Sequence, residues 1–206
     1  MNHKYSVKLN LDVSPVNKDL DPVTLLKSIP AWTDNVINNP ESAKHFILPR
    51  IHWSTELIHF FDIHRLYITY VEVFYTFPNK GCDIHIDGSE PGDFTKINWV
   101  YLGKNSKMQW YEANTKEELK VTPTIVNSSY IGFQPKDVNL VYSENLQGPN
   151  IVQVGCPHAI ENSTEERFCI SVVFKNTKTT NFRNRPTMKE SLVIFKDYIV
   201  GDPGRI

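Results

Sequence analysis

Four residues of this 206-residue chain have the types and the spacing to act together: His85, Asp87, His158 and Arg167. His85 and Asp87 lie in Cys82-Asp83-Ile84-His85-Ile86-Asp87-Gly88, which alternates like a strand and ends in a turn. Side chains along a strand alternate between its two faces. Asp83, His85 and Asp87 therefore share one face, and Cys82, Ile84 and Ile86 are expected on the other, packed between sheets. A face carrying an imidazole between carboxylates serves either solvent or a metal ion.

A metal would need another donor from a distant element. His158 fits, in Gly155-Cys156-Pro157-His158-Ala159-Ile160-Glu161-Asn162. Two histidines and one carboxylate occupy one face of an octahedral ion and leave the opposite face open, as in non-haem Fe(II) oxygenases. A closed structural zinc site would want four protein ligands, usually including Cys. Cys82 falls on the apolar face of its strand, so iron is favoured over zinc. Asp83 is assigned to solvent or to support of the ligands. Arg167 opens the apolar stretch Arg167-Phe168-Cys169-Ile170-Ser171-Val172-Val173-Phe174. There Arg167, Cys169, Ser171 and Val173 share a face, and a guanidinium at that position suits bidentate capture of a carboxylate.

The elements that must position these residues are mainly strands. Residues 5–13 alternate as an edge strand. Helices are expected from Asp21-Pro22 through Ile29, over residues 32–39, and over residues 54–64, where Leu57, Ile58, Phe60 and Phe61 give a broad apolar face. From residue 66 the texture turns to β-branched and aromatic residues. A long strand to Phe77 ends at Pro78-Asn79-Lys80-Gly81. Strands follow over residues 82–87, 96–103, 108–111, 121–126, 138–142, 151–154 and 167–174. Many short strands punctuated by turns indicate a sandwich or jelly roll. The loops 88–95 and 127–148 are expected to shape the pocket mouth. Thr187-Met188-Lys189-Glu190 fits a capping box that opens a closing helix. The chain reads as one domain of residues 1–206: an N-terminal strand and helices (1–65), a β core (66–176) and a C-terminal helix (187–200).

Bulk composition narrows the function. The chain is 40% hydrophobic and 12% aromatic, with a formal net charge of -1. It can bury a core, and it has no general basic field for nucleic acid. Three cysteines without regular spacing do not make a disulfide framework. Residues 1–11 lack the apolar run of a signal peptide, and no stretch approaches a membrane span of about 20 residues. A soluble, cytoplasmic protein with a small-molecule or amino-acid/peptide substrate and no membrane partner is expected.

His85-Ile86-Asp87-Gly88 with the strand through Asn98-Trp99, and Pro157-His158-Ala159-Ile160-Glu161-Asn162 followed by Arg167, resemble the two motifs of the Fe(II)/2-oxoglutarate-dependent dioxygenase superfamily, in its small bacterial and phage-type members. The resemblance spans roughly residues 71–174. It implies a double-stranded β-helix (a jelly roll, cupin-like), mainly β with flanking helices. It implies Fe(II) held by His85, Asp87 and His158, with O2 and the cosubstrate 2-oxoglutarate, whose far carboxylate pairs with Arg167. Many members carry Ser two residues after that Arg. Here that position is Cys169, and Ser171 lies one step further along the same face. Tyr101 or Tyr111 is an alternative hydroxyl partner, and Asn98 is a cosubstrate or supporting candidate by resemblance alone. The implied activity is hydroxylation of an amino-acid side chain or small metabolite, with release of succinate and CO2. Two other readings compete: a cupin-like metal enzyme that does not use 2-oxoglutarate, and a non-catalytic jelly-roll binding protein.

Overall fold

The computed structural model describes residues 4–17, 24, 44–114, 120–123, 129–161, 164–176 and 184–201. The helices expected over residues 21–39 fall almost wholly outside these. The described strands are β1 (Ser6–Lys8), β2 (Lys44–Ile47), β3 (Tyr67–Thr76), β4 (Cys82–Asp87), β5 (Thr95–Val100), β6 (Lys107–Ala113), β7 (Val121–Pro123), β8 (Ser129–Gly132), β9 (Val138–Glu144), β10 (Gly148–Gln153), β11 (His158–Glu161) and β12 (Arg167–Lys175). Two helices complete the set, α1 (Thr55–Ile63) and α2 (Met188–Ile194).

The strands form two antiparallel sheets, in the orders β1-β10-β5-β12-β3-β2 and β7-β8-β4-β11-β6-β9. From β3 to β6, and again from β9 to β12, each successive strand crosses to the other sheet. The result is the jelly roll. The segment 127–148, expected to shape the pocket mouth as a loop, also carries β8, whereas β9 falls where a strand is expected over residues 138–142. Residues 44–47, inside the segment assigned to a strand and helices, add β2 as an edge strand beside β3.

The largest apolar core lies outside the sandwich, between the first sheet and the helices. Leu57, Phe60 and Phe61 of α1, with Met188, Leu192 and Phe195 around α2, pack against Val71, Val73, Ile97, Trp99, Ile170, Val172 and Phe174. Every one of those strand residues is the outward member of a period-2 alternation. Ser54 caps α1 by accepting from Leu57 N–H, and Thr187 and Glu190 form the expected capping box on α2. Between the sheets, Val100, Met108, Trp110, Val152, Val154 and Cys169 fill one part of the interior. The remaining inward positions of β3, β4, β5, β11 and β12 surround a cavity lined by both polar and apolar side chains.

Among the described residues, no helix is long and apolar enough to cross a membrane.

Candidate functional site

His85 and His158 are direct partners across the β4–β11 ladder, which places both imidazoles on one face of the second sheet. Their ring centroids are 4.5 Å apart. Asp87 lies one alternation beyond His85, and its Oδ1 is 3.4 Å from His85 Nε2. One donor atom from each of His85, Asp87 and His158 lies within 4.8 Å of the other two. Donors adjacent on an octahedral ion at about 2.1 Å stand about 3 Å apart, so the cluster needs little movement to chelate.

The hydrogen bonds of the two rings fix their orientation. His85 Nδ1 lies 2.7 Å from the Asp83 carbonyl, and His158 Nδ1 lies 2.9 Å from the Cys156 carbonyl. A carbonyl can only accept, so each Nδ1 carries a proton and donates it. In the neutral rings, each Nε2 is then left with a lone pair directed toward the cluster. A backbone carbonyl on the remote ring nitrogen is the usual arrangement of a metal-binding histidine.

A bulge corrects the expected facing of β4. His158 pairs with His85 while Ile160 pairs with Cys82, so three steps on one strand oppose two on the other. The extra residue turns Cys82 onto the cavity wall, where its Sγ accepts from Ile160 N–H at 3.1 Å. Asp83 is exposed. Ile84 packs on the far side of the sheet with Val138 and Ala159, rather than between the sheets.

The first sheet supplies the cavity's other wall. Inward positions there are Glu72, Phe74 and Thr76 on β3, Lys96 and Asn98 on β5, and Arg167, Cys169 and Ser171 on β12. Asn98 and Ser171 are cross-strand partners, and buried Asn98 Oδ1 and Ser171 Oγ have no hydrogen-bond partner among the described residues. Arg167 is buried and lines the same cavity as the triad. Among the described residues no carboxylate lies within ion-pair distance of it. Tyr101 continues the outward alternation of β5 and packs against the helical core. Tyr111 packs beside Ile84, Val138 and Ala159 and donates to Gln109 Oε1 at 2.7 Å. Neither tyrosine lines the cavity.

Two further charged residues bear on the triad: Lys96, which lines the cavity, and Glu72, its ion-pair partner. Lys96 Nζ lies 2.6 Å from Glu72 Oε2 and 2.8 Å from Asp87 Oδ2, and the Lys96 and Glu72 side chains are each only 4% exposed. The signal was available in the sequence: each is a charged residue at an inward position of a strand whose neighbours are apolar.

Electrostatics follow from this packing. Burial, then the nearby His85, push His158 down to about 4. Burial also pulls on His85, but its hydrogen bonds with Asp87 and Cys82 prevail and hold it well above the ordinary imidazole range. Burial alone would raise Asp87. The Lys96 ammonium and the His85 hydrogen bond outweigh it and keep the carboxyl well below its usual range. Lys96 is likewise raised: burial opposes its charge, and Asp87 and Glu72 more than offset that.

No family model matches the chain, and no curated protein matches it. Its similarities are to solved structures. One is oxalate decarboxylase from Bacillus subtilis at pH 4.6, 12% identical, covering 65% of this chain and 26% of that one at a TM-score of 0.32. The chain thus spans about a quarter of that enzyme's length. A second is E. coli ycfD, 12% identical over 88% of this chain and 56% of that one, TM-score 0.40. A third is a cupin 2 domain-containing protein from Halorhodospira halophila, 9% identical over 77% and 80%, TM-score 0.30. By its own strand order the chain is a jelly roll of the cupin type, with a His–Asp–His cluster suited to a metal on the inner face of one sheet.

Proposed function

We propose that this protein is an Fe(II)- and 2-oxoglutarate-dependent oxygenase, hydroxylating an amino-acid side chain or a small metabolite. His85, Asp87 and His158 would hold the metal. Arg167 would bind the far carboxylate of the cosubstrate, with Asn98 and Ser171 as its polar neighbours. The observation that carries this reading is Arg167: a buried guanidinium without a carboxylate partner among the described residues, on the wall of the cavity that holds the triad.

Charge balance supports it. Asp87 and Glu72 offset Lys96 and Arg167 within the cavity wall. A divalent ion bound to neutral imidazoles adds two positive charges, and uncompensated charge away from water is costly. A dianion restores neutrality, and 2-oxoglutarate is one. Bound Fe(II) would supply the activation of O2 that couples decarboxylation of the 2-oxo acid to oxidation of the substrate.

The chain's own residues have simpler duties. The two Nε2 lone pairs and Asp87 Oδ1 would hold the ion. Arg167 offers a fork matched to a carboxylate, and its burial removes competing water. Asn98 and Ser171 gain partners when a polar ligand arrives. Phe74, Met108, Val154 and Ile160 keep the remaining wall apolar.

Addition of Fe(II) and 2-oxoglutarate under anaerobic conditions should produce a weak visible charge-transfer band, and admission of O2 should yield succinate. A folded protein that binds Fe(II) yet gives no band would overturn the proposal. The small cavity, about 60 Å³, also favours a second reading: a cupin-like metal enzyme whose own small dianionic substrate chelates the ion. That reading expects tight binding of oxalate or a similar dianion to the metal-loaded protein, and no succinate.

A further inference from the structure

Lys96 touches the cluster through the oxygen of Asp87 that does not face His85. Its ammonium lies 2.8 Å from Asp87 Oδ2, while Asp87 Oδ1 faces His85 Nε2 at 3.4 Å. The same ammonium lies 2.6 Å from Glu72 Oε2. Glu72 and Lys96 reach this point from different strands, β3 and β5, which are not neighbours: β12 separates them in the sheet. The pair therefore spans across β12 to reach a carboxylate on the opposite sheet.

From this chain of contacts we infer that Lys96 is a positioning residue for Asp87. It holds Oδ2 out of the metal's coordination sphere, and Glu72 is the counter-charge that makes a buried lysine tolerable there. The consequence is a count of open positions. A carboxylate that binds through both oxygens would take two positions of an octahedral ion, and with two imidazoles would leave only two. With Oδ2 engaged by Lys96, Asp87 binds through Oδ1 alone and three positions stay open. A chelating ligand together with a further small molecule needs all three. Lysine suits the task because its ammonium is a compact charge with several donors, able to serve Glu72 and Asp87 together.

This inference rests on the triad holding a divalent ion, as proposed above, and not on the identity of the cosubstrate. The test loads the full chain with Mn(II) and counts inner-sphere waters by ENDOR in 17O-labelled water. Wild type should show three. Lys96→Met should show two, as Asp87 turns to bind through both oxygens, and should hold Mn(II) about tenfold more tightly because the ammonium no longer competes for the carboxylate. Lys96→Met leaves Glu72 buried without its partner, so Lys96→Met/Glu72→Gln, which conserves the cavity's net charge, is measured alongside and should behave the same way. Lys96→Arg should restore the wild-type count.

Two waters on the wild-type ion would overturn the inference without any variant. So would an unchanged count and affinity in the charge-conserving double variant. Failure of wild type to bind Mn(II) at all would instead strike at the triad itself.

Discussion

His85 and His158 stand opposite each other across two neighbouring strands, each with its Nδ1 tied to a carbonyl two residues before it in sequence. Neither ring is free to choose its tautomer, and both neutral rings present Nε2 to the same point. Replacing either one removes a donor that no other described residue replaces within the cluster. His158→Ala should weaken Fe(II) or Mn(II) binding at least 100-fold, a larger loss than the roughly 10–100-fold associated with removing a supporting contact. The measurement is competition with a metal-sensitive dye. Cys82 lines the same cavity, so Cys82→Ala is the control; retained affinity there, beside loss in His158→Ala, confines coordination to the triad.

Metal binding should depend on pH through His85. Its folded-state pKa is raised, so the protonated ring stabilises the metal-free fold below the ordinary value of 6.5, and that contribution is lost as pH rises through the raised value. His158 runs the other way. Its folded pKa lies near 4, so the fold loses stability as pH falls from 6.5 toward 4. A metal needs both rings neutral. His158 already is at neutral pH, whereas His85 must give up a proton. Below the His85 pKa, affinity should rise about tenfold per pH unit, with one proton released per ion bound. Calorimetry in buffers of different ionisation enthalpy reads that proton directly. Proton-independent binding between pH 6 and 8 would mean that His85 is neutral before the ion arrives.

Much of this site was legible before any coordinates. The alternation in Cys82–Asp87 placed His85 and Asp87 together, and the outward face of β12 was visible in Phe168, Ile170, Val172 and Phe174. The same rule failed at Cys82, because a bulge inserts a residue and no local sequence signal marks it. Tyr101 departs from its expected role beside the cosubstrate for a different reason: its parity with Ile97 and Trp99 puts it on the helix side of the sheet. Lys96 and Glu72 required knowing which strands meet. A charged residue in an apolar strand says that a partner exists, but only the pairing of β3 and β5 with β12 says which.

Arg167 should be separable from the metal. Arg167→Ala leaves the triad intact, so Mn(II) affinity should change little, while binding of 2-oxoglutarate to the metal-loaded protein should weaken about 10–100-fold, the worth of a charge-assisted pair in a buried site. Arg167→Lys should recover only part of the loss, because an ammonium cannot reproduce the fork. Isothermal titration with 2-oxoglutarate, and with pyruvate as a ligand lacking the far carboxylate, makes the comparison internal. Pyruvate affinity should be indifferent to Arg167; equal losses for both ligands would place Arg167 outside the carboxylate subsite.

Gly103 supports Arg167 from behind. Its φ is +77°, in the left-handed region that side chains avoid, and a Cβ built there would stand 2.5 Å from Ser106 Oγ and 2.8 Å from Arg167 Cβ. The backbone cost of such a residue is roughly 1–3 kcal/mol. Relief of the second contact must move either the turn at Gly103–Ser106, closed by Ser106 N–H donating to the Gly103 carbonyl at 2.8 Å, or the start of β12. Gly103→Ala should therefore lower Tm by several degrees and also weaken 2-oxoglutarate binding, although residue 103 does not line the cavity. Gly148→Ala is the control for strain alone. Its φ is +69° and a Cβ there meets nothing within 4 Å. It should lose stability and leave 2-oxoglutarate affinity unchanged. If the two variants lose affinity equally, the effect belongs to global destabilisation and not to the displacement of Arg167.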